Sequence, residues 1–301
     1  MQPHGWLILD KPRGLGSTQA VGAVKRNLRE AGYGRVKVGH GGTLDPLAEG
    51  VLPIALGEAT KLAGRMLEAS KIYDFTIRFG TETSTLDSEG EVVAESDFRP
   101  TGAEVAAILP RFTGAIEQVP PTYSALKVDG QRAYDLARSG VAVELATRAV
   151  TIHALDLLGT NDDESILRAH VSKGTYIRSL ARDIARALGT VGHVTYLRRV
   201  KAGPFHQDQA ISLDKLNEIG KGAPLQDHLL PLEAGLDDIP ALALDPTSAQ
   251  AVRQGRELSG LPHADGLHFA KLGAVPVALM DIRGGTAKVV RGFNLPNDVA
   301  E

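Results

Sequence analysis

Along "KIYDFTIRFG" the side chains alternate: Tyr73, Phe75, Ile77 and Phe79 fall on one face of an extended chain, Asp74, Thr76 and Arg78 on the other. That period of two predicts a strand with Tyr73 at the head of its apolar face. Nearer the N-terminus, "WLILDKPRG" is apolar without interruption and predicts a short buried strand, halted where Pro12 has no N–H for a ladder. The spacing then changes to that of a helix carrying Val21, Val24 and Leu28, with Ser17 as its expected cap and Gly32 as its stop.

The segment "STLDSEGEVV" predicts a hairpin or a loop into another strand. Thr101 and Glu104 form a capping-box pattern that opens a helix through Val105, Ile108 and Leu109, and Pro110 kinks or stops it. In "QVPPTYSALKVDGQRAYDLARSG" a turn is expected at Val128–Gly130 and a short helix ending at Gly140, giving an inserted lobe near 120–150. Leu167, Ala169 and Val171 predict a strand, Lys173-Gly174 a tight turn, and Ile177, Leu180, Ile184 and Leu188 the inward face of a helix ended by Gly189. Arg178, Arg182 and Arg186, four apart, would then share an outward stripe. Past Leu236 the pattern shortens to strands and turns, notably "AVPVALMD" and "TAKVVRGF" joined at Arg283–Gly285. The expected architecture is α+β: a mainly antiparallel central sheet flanked by helices in residues 1–235, and a small β domain in 236–301.

Composition narrows the chemistry. The 301 residues are 43% hydrophobic and 23% charged, enough for a real core. With Cys 0, disulfides, thiolate nucleophiles and cysteine zinc sites are excluded. No basic region precedes the first apolar run and no apolar segment reaches membrane-spanning length, so a soluble, cytoplasmic protein without signal peptide is expected. The formal net charge of −3 hides a gradient: Ser165–Phe205 holds eight basic residues against Asp183, whereas Thr81–Pro120 is acidic. A basic face on an acidic body permits binding to a polyanion, because phosphate contacts are local; two ordinary solvated faces would give the same gradient.

Several reactions fall away. "GYGRVK" lacks the last glycine of a dinucleotide fingerprint, and no P-loop or GxSxG elbow is present. The histidines have no metal-ligand spacing, and His263 and His268 are expected to be solvated in a loop. What remains is a carboxylate in "GHGGTLDPLAEG", an aromatic at the head of a strand, and an arginine at a turn-to-helix junction. Pro46 biases Asp45 toward extended geometry, and the glycines around it allow close approach of backbone or ligand. Asp45 as a plain turn or cap residue, with Pro46 opening a helix, fits the local sequence as well.

The stretch "VGHGGTLDPLAEGVLPIALGEATK" closely resembles the catalytic motif of bacterial tRNA pseudouridine synthases of the TruB family. "LDKPRGLGS", "KIYDFTIRFGTETSTLDSEG", "QVPPTYSALKVDGQRAYDLAR" and "SKGTYIRSLARDIARALG", the last followed by "HVTYLRRVKAGPF", resemble that family's other motifs in the same order, from Trp6 to Phe205. Gly41 and Glu49 fall at positions where the family varies. The C-terminal segment is similar to the PUA-like RNA-binding appendage of these enzymes.

The resemblance implies a pseudouridine synthase fold and isomerisation of uridine 55 in the T-loop of tRNA, without cofactor or metal. It implies the tRNA T-arm as partner and no obligate protein partner; a monomer is the default. By resemblance Asp45 is the essential carboxylate and Arg178 the guanidinium that keeps it charged through a salt bridge. Tyr73 is expected to stack on the target uracil and to assist proton removal at carbon 5. His40 is expected to enter the T-loop in place of the flipped nucleotide, with Tyr176 and Leu197 lining the uracil pocket. Lys11 is structural or faces phosphate; Arg198, Arg199 and Lys201 are expected on RNA phosphates. Two other readings stay open: a tRNA-folding chaperone with secondary catalysis, and an N-glycoside hydrolase using Asp45 and Glu49 as a pair.

Overall fold

The computed structural model describes residues 2–124, 126–128, 131–132 and 145–295. Strand β1 (Gly5–Lys11) leads to helix α1 (Ser17–Glu30), β2 (Val38–His40), β3 (Glu49–Leu56), a 3₁₀ segment (Gly57–Leu62) and α2 (Ala63–Glu68). Next come β4 (Lys71–Phe79), the pair β5 (Thr81–Thr83) and β6 (Val92–Glu95), α3 (Gly102–Ile108) and β7 (Gly114–Gln118). The short ladder of β8 (Lys127–Val128) and β9 (Gln131–Arg132) precedes β10 (Arg148–Thr160) and β11 (Glu164–Val171). Helix α4 (Ile177–Ala187), β12 (Gly192–Ala202), β13 (Phe205–His206), α5 (Leu213–Gly220) and β14 (Leu229–Leu230) complete the larger unit. The smaller unit holds β15 (Ala241–Ala243), α6 (Pro246–Arg253), β16 (Gly266–Leu272), β17 (Val275–Arg283) and β18 (Thr286–Gly292).

The larger sheet runs β14-β1-β3-β12-β4-β11-β10-β7, with β2 on β3 and β13 on β12. Its pairs are antiparallel except β3 with β12, which meet in parallel at Arg198↔Glu49 and Arg199↔Gly50. The uninterrupted apolar run of β1 has a simple cause: both faces of the strand are covered. Leu7 and Leu9 pack with α1, α4 and α5 residues such as Val24, Leu180 and Leu216. Trp6 and Ile8 face the other way, against Met66, Phe205 and, from the smaller sheet, Phe269 and Leu279. Trp6 also donates its indole N–H to the Leu232 carbonyl at 3.1 Å. In β4, by contrast, Phe75, Ile77 and Phe79 enter the core while Arg78 is exposed, as the alternation requires.

The smaller sheet, β15-β16-β17-β18, closes its own core around Leu242, Val252, Met280 and Ile282. Polar contacts tie it to the larger unit. Arg65 grips Asp238 with two hydrogen bonds of 3.0 and 2.9 Å, Lys61 donates to the Gly292 carbonyl at 2.8 Å, and the Asn294 N–H donates to Glu58 at 2.7 Å.

Three local expectations need correction. The cap of α1 is Gly16, whose N–H is taken by the Gln19 side chain at 2.8 Å; Ser17 is the first helical residue and bonds elsewhere. Of the 178/182/186 arginines only Arg186, 57% exposed, is solvated as expected. Arg178 is buried, Arg182 donates to Asp183 and to the Val119 carbonyl, and Arg186 pairs with Glu82 at 2.8 Å. His268 is buried in β16 rather than solvated in a loop. The capping box is present, with Thr101 accepting from the Glu104 N–H. The expected helix ending at Gly140, and the turn residues Asp129 and Gly130, lie outside the described residues.

Candidate active site

The segment from Gly41 to Ala48 forms an irregular hook between β2 and β3, with no helix after Pro46. Leu44 and Leu47 are buried on either side of Asp45, so the apolar flanks anchor the hook and turn the carboxylate outward. Its backbone is pinned from three directions. The Ser17 hydroxyl accepts from the Leu44 N–H at 2.8 Å and donates to the Leu44 carbonyl at 3.0 Å. The Lys11 ammonium, fully buried, donates to the carbonyls of Leu15 at 2.6 Å, Pro12 at 3.0 Å and Pro46 at 3.5 Å. Arg199, only 1% exposed, donates to the carbonyls of Val51 at 2.7 Å, Gly42 at 3.1 Å and Thr43 at 3.5 Å. Buried backbone carbonyls need such donors, and two side-chain cations supply them here.

The glycine that matters most to this packing is Gly50. It adopts φ +99°, and a Cβ there would lie 2.3 Å from the Arg199 carbonyl oxygen. Only glycine lets β3 approach β12 that closely at the parallel contact.

Asp45 lines a cavity of about 330 Å³ together with Lys71, Tyr73, Thr175, Tyr176, Arg178 and Leu197. Across the cavity, α4 presents Arg178 in its first turn. The guanidinium is 5% exposed; its Nη2 donates to Asp45 Oδ2 at 2.7 Å and to the Tyr123 carbonyl at 3.0 Å. Its Nη1 donates to the Thr85 carbonyl at 2.9 Å and lies 3.2 Å from Asp87 Oδ2. Asp45 keeps 40% of its side chain exposed, whereas Asp87 keeps 3%. One carboxylate therefore faces the cavity and the other is sealed behind the arginine. The expected Asp45–Arg178 salt bridge is present.

Tyr176 occupies the cap position of α4, fixed by Gln118, which accepts from its N–H at 2.8 Å and donates to its carbonyl at 3.1 Å. Burial pushes the Tyr176 phenol pKa up. Strand alternation explains the rest of the wall: Leu197 and Arg199 face the cavity, and Arg198 between them points to the far side of the sheet. His40 lies outside the cavity at the entry to the hook, its Nδ1 3.4 Å from the Gly42 N–H. Burial, and then the nearby Arg199 charge, lower its pKa.

The structure changes the expected basic patch at Arg198 and Arg199. Arg199 has no surface to offer a phosphate, and Lys11 is likewise structural rather than phosphate-facing. Arg198 bridges Asp10 at 3.0 Å and Glu49 at 3.1 Å. Lys201 sits half-buried at the bulged end of β12, opposite Ile72 and His206. Arg168 grips Asp74 at 2.6 Å and Lys173 pairs with Glu68, so most of the positive charge counted in Ser165–Phe205 is neutralised within the molecule. A long basic run in sequence is thus mainly a set of internal ion pairs.

Glu49 begins β3 and is held by Arg198 and the Tyr196 hydroxyl. Asp45 is the sole carboxylate among the described residues lining the cavity, which removes the paired-acid geometry a two-carboxylate glycosidase needs. No group of three or more His, Cys, Asp or Glu among the described residues is arranged to hold a metal ion. The sequence did not point to Asp87, Lys71 or Gln118, and pointed to Ser17 only as a helix cap. Only Asp87 had a local signal, as the lone Asp of "STLDSEG" among small polar residues.

Residues 27–177 match the TruB family pseudouridylate synthase N-terminal domain, and residues 178–237 the tRNA pseudouridylate synthase B C-terminal domain. The tRNA pseudouridine synthase B of Novosphingobium aromaticivorans is 69% identical over 99% of both chains. That of Zymomonas mobilis is 58% identical, covering 97% of this chain and 96% of the other. A solved H/ACA RNP bound to a substrate RNA containing 2′-deoxyuridine has the same fold, with TM-score 0.74 and 24% identity over 98% of this chain and 86% of that one. A hook that presents one open carboxylate to a buried guanidinium thus sits in a chain that belongs to the TruB family of pseudouridylate synthases, RNA-modifying isomerases.

Proposed function

We propose that this protein converts uridine 55 in the T-loop of tRNA to pseudouridine, with Asp45 as its essential carboxylate. The observation that supports this most directly is the cavity itself: one half-exposed carboxylate, hydrogen-bonded to a buried guanidinium and walled by an aromatic and an aliphatic side chain. The reaction breaks the bond between the ribose anomeric carbon and N1, turns the uracil, and joins carbon 5 to the same sugar carbon. Carbon 5 loses a proton and N1 gains one, so atoms balance without oxidant, reductant or cofactor.

A base inside a duplex or a folded loop cannot reach such a cavity and has to be everted, at a cost of a few kcal/mol. Tyr73 offsets part of that cost by stacking on the uracil, a contact of about 1–3 kcal/mol per base. Tyr176 and Leu197 hold the ring from its other sides. Arg178 holds Asp45 aimed while the glycosidic bond is exchanged, a preorganised contact of the kind that lowers such barriers. His40, at the entry to the hook, fills the space the nucleotide leaves. The smaller β unit, residues 236–301, adds RNA-binding surface. We infer a monomer acting in the cytoplasm on the T-arm without a protein partner.

The test is incubation of the purified chain with an unmodified T-arm stem-loop, followed by pseudouridine-specific chemical labelling. The expected product has unchanged mass and carries label at one position. Release of free uracil would assign hydrolysis instead, and an unlabelled RNA would reject the reaction.

A further inference from the structure

We propose that Arg148 binds a backbone phosphate beside the everted nucleotide. This rests on the pseudouridylation reading above. It follows from comparing the cations around the cavity.

Each of the others is already committed. Arg178 serves Asp45 and Asp87, and Arg199 serves the carbonyls of the hook. Lys71 donates to the carbonyls of Leu67 at 2.8 Å and Ala69 at 2.5 Å, and Lys173 pairs with Glu68. Arg148 differs. Among the described residues no carboxylate lies within ion-pair distance of it, and its Nε is buried without a hydrogen-bond partner. Its one protein acceptor there is the Gly174 carbonyl, reached by Nη1 at 3.4 Å, the long limit of a hydrogen bond. A guanidinium carries five N–H donors in a planar fork, so most of this one is unused.

Its position is set by the wall of the cavity. Arg148 opens β10 opposite Gln118, the residue that brackets Tyr176 on both sides. The guanidinium carbon lies 5.7 Å from the centroid of the Tyr176 ring, and Gly174 and Tyr176 both line the cavity. At that distance the ring attracts the guanidinium without using its N–H groups. A nucleotide whose base enters the cavity has to leave its charged phosphates at the rim, in water. A planar guanidinium at that rim, without a carboxylate partner among the described residues, matches two phosphate oxygens.

The experiment uses the full chain and a T-arm stem-loop. Arg148→Gln is expected to weaken RNA binding roughly five- to tenfold and to make the log–log salt dependence shallower by about one. Single-turnover rate at saturating RNA and thermal midpoint should stay near wild type. Arg148→Lys, which keeps the charge and loses the fork, should lie between the two. RNAs carrying an uncharged methylphosphonate on the 5′ or the 3′ side of the target uridine identify the partner. One of them should cost wild type the same factor and cost Arg148→Gln nothing further. Unchanged affinity and slope in Arg148→Gln, loss of rate with intact binding, or losses that add for both methylphosphonates would each overturn the proposal. Should Arg148→Gln not fold, Arg148→Lys with the same two RNAs decides the matter. Absence of pseudouridine from wild type would reject the reaction alone, since the binding slopes judge Arg148 without turnover.

Discussion

Asp87 stands directly behind Arg178, its Oδ2 3.2 Å from the guanidinium Nη1, and so holds the arginine from the side opposite Asp45. Asp87 is itself fixed by the Thr85 hydroxyl and by the Glu89 N–H at 3.0 Å. Replacing Asp87 by Asn keeps the shape and removes the charge. A displaced reactive group costs up to about 10²-fold in rate. Asp87→Asn should therefore lower single-turnover rate by one to two orders of magnitude (roughly 10- to 100-fold) with little change in RNA affinity. Equal rates in variant and wild type would show that the Asp87 charge is not needed to orient the arginine.

The two carboxylates should respond differently to loss of the cation. Arg178→Ala strands Asp87 in a buried site, and breaking a buried pair in this way costs about 3–5 kcal/mol. Asp45→Asn leaves Arg178 paired with Asp87, so stability should change by less than about 1 kcal/mol. Urea unfolding of both variants checks the asymmetry. The same Asp45→Asn protein should bind the T-arm within about threefold of wild type and form no product. Residual product at the wild-type rate would remove Asp45 from the chemistry.

Arg199→Ala tests the correction to the basic patch. With Arg199 gone, the carbonyls of Gly42 and Val51 lose a buried donor, each unsatisfied group costing about 1–3 kcal/mol. A lower unfolding midpoint is expected, together with reduced turnover from a loosened hook. The salt dependence of RNA binding should keep its wild-type slope, because no phosphate contact is lost. A shallower slope at unchanged stability would return Arg199 to the RNA interface.

Lys71 gives a pH signature. Burial, and then the Arg199 charge, lower its pKa from 10.5 to about 8. The folded state therefore releases this proton before the unfolded chain does. Between about pH 8 and 10.5 the unfolded state holds more protons, so this residue's contribution to stability rises with pH. Lys71→Met removes the titration. Relative to that variant, wild type should gain stability across this window and hold a constant difference below it. Thermal unfolding in matched buffers follows the trend, and wild type losing stability relative to Lys71→Met as pH rises would contradict it.

Much of this site was legible where local chemistry dictates one outcome. Alternation placed Tyr73 on the inward face of β4, and the Asp-Pro step made an extended hook of the segment around Asp45. The motif order led to Arg178. What escaped were relationships between distant segments. Arg199 looks like any basic strand residue until β3 and the hook close around it, and Arg182 looks solvated until the Val119 carbonyl meets it. Ser17 has every feature of a helix cap, yet Leu44 offers both its N–H and its carbonyl to that hydroxyl. Helical spacing placed Arg178, Arg182 and Arg186 on one side of α4 but could not say that Asp87 meets the first and the Val119 carbonyl the second.

Strand β12 lies between β3 and β4 although it is made long after both, and Arg178 follows Asp45 by 133 residues. A growing chain thus exposes its hook early and receives the opposing cation only when α4 emerges. Until then the sheet lacks its middle rung. Such distant pairings form late because closing long loops precedes their reward. The order of synthesis therefore leaves the hook without its opposing cation until most of the larger unit has been made.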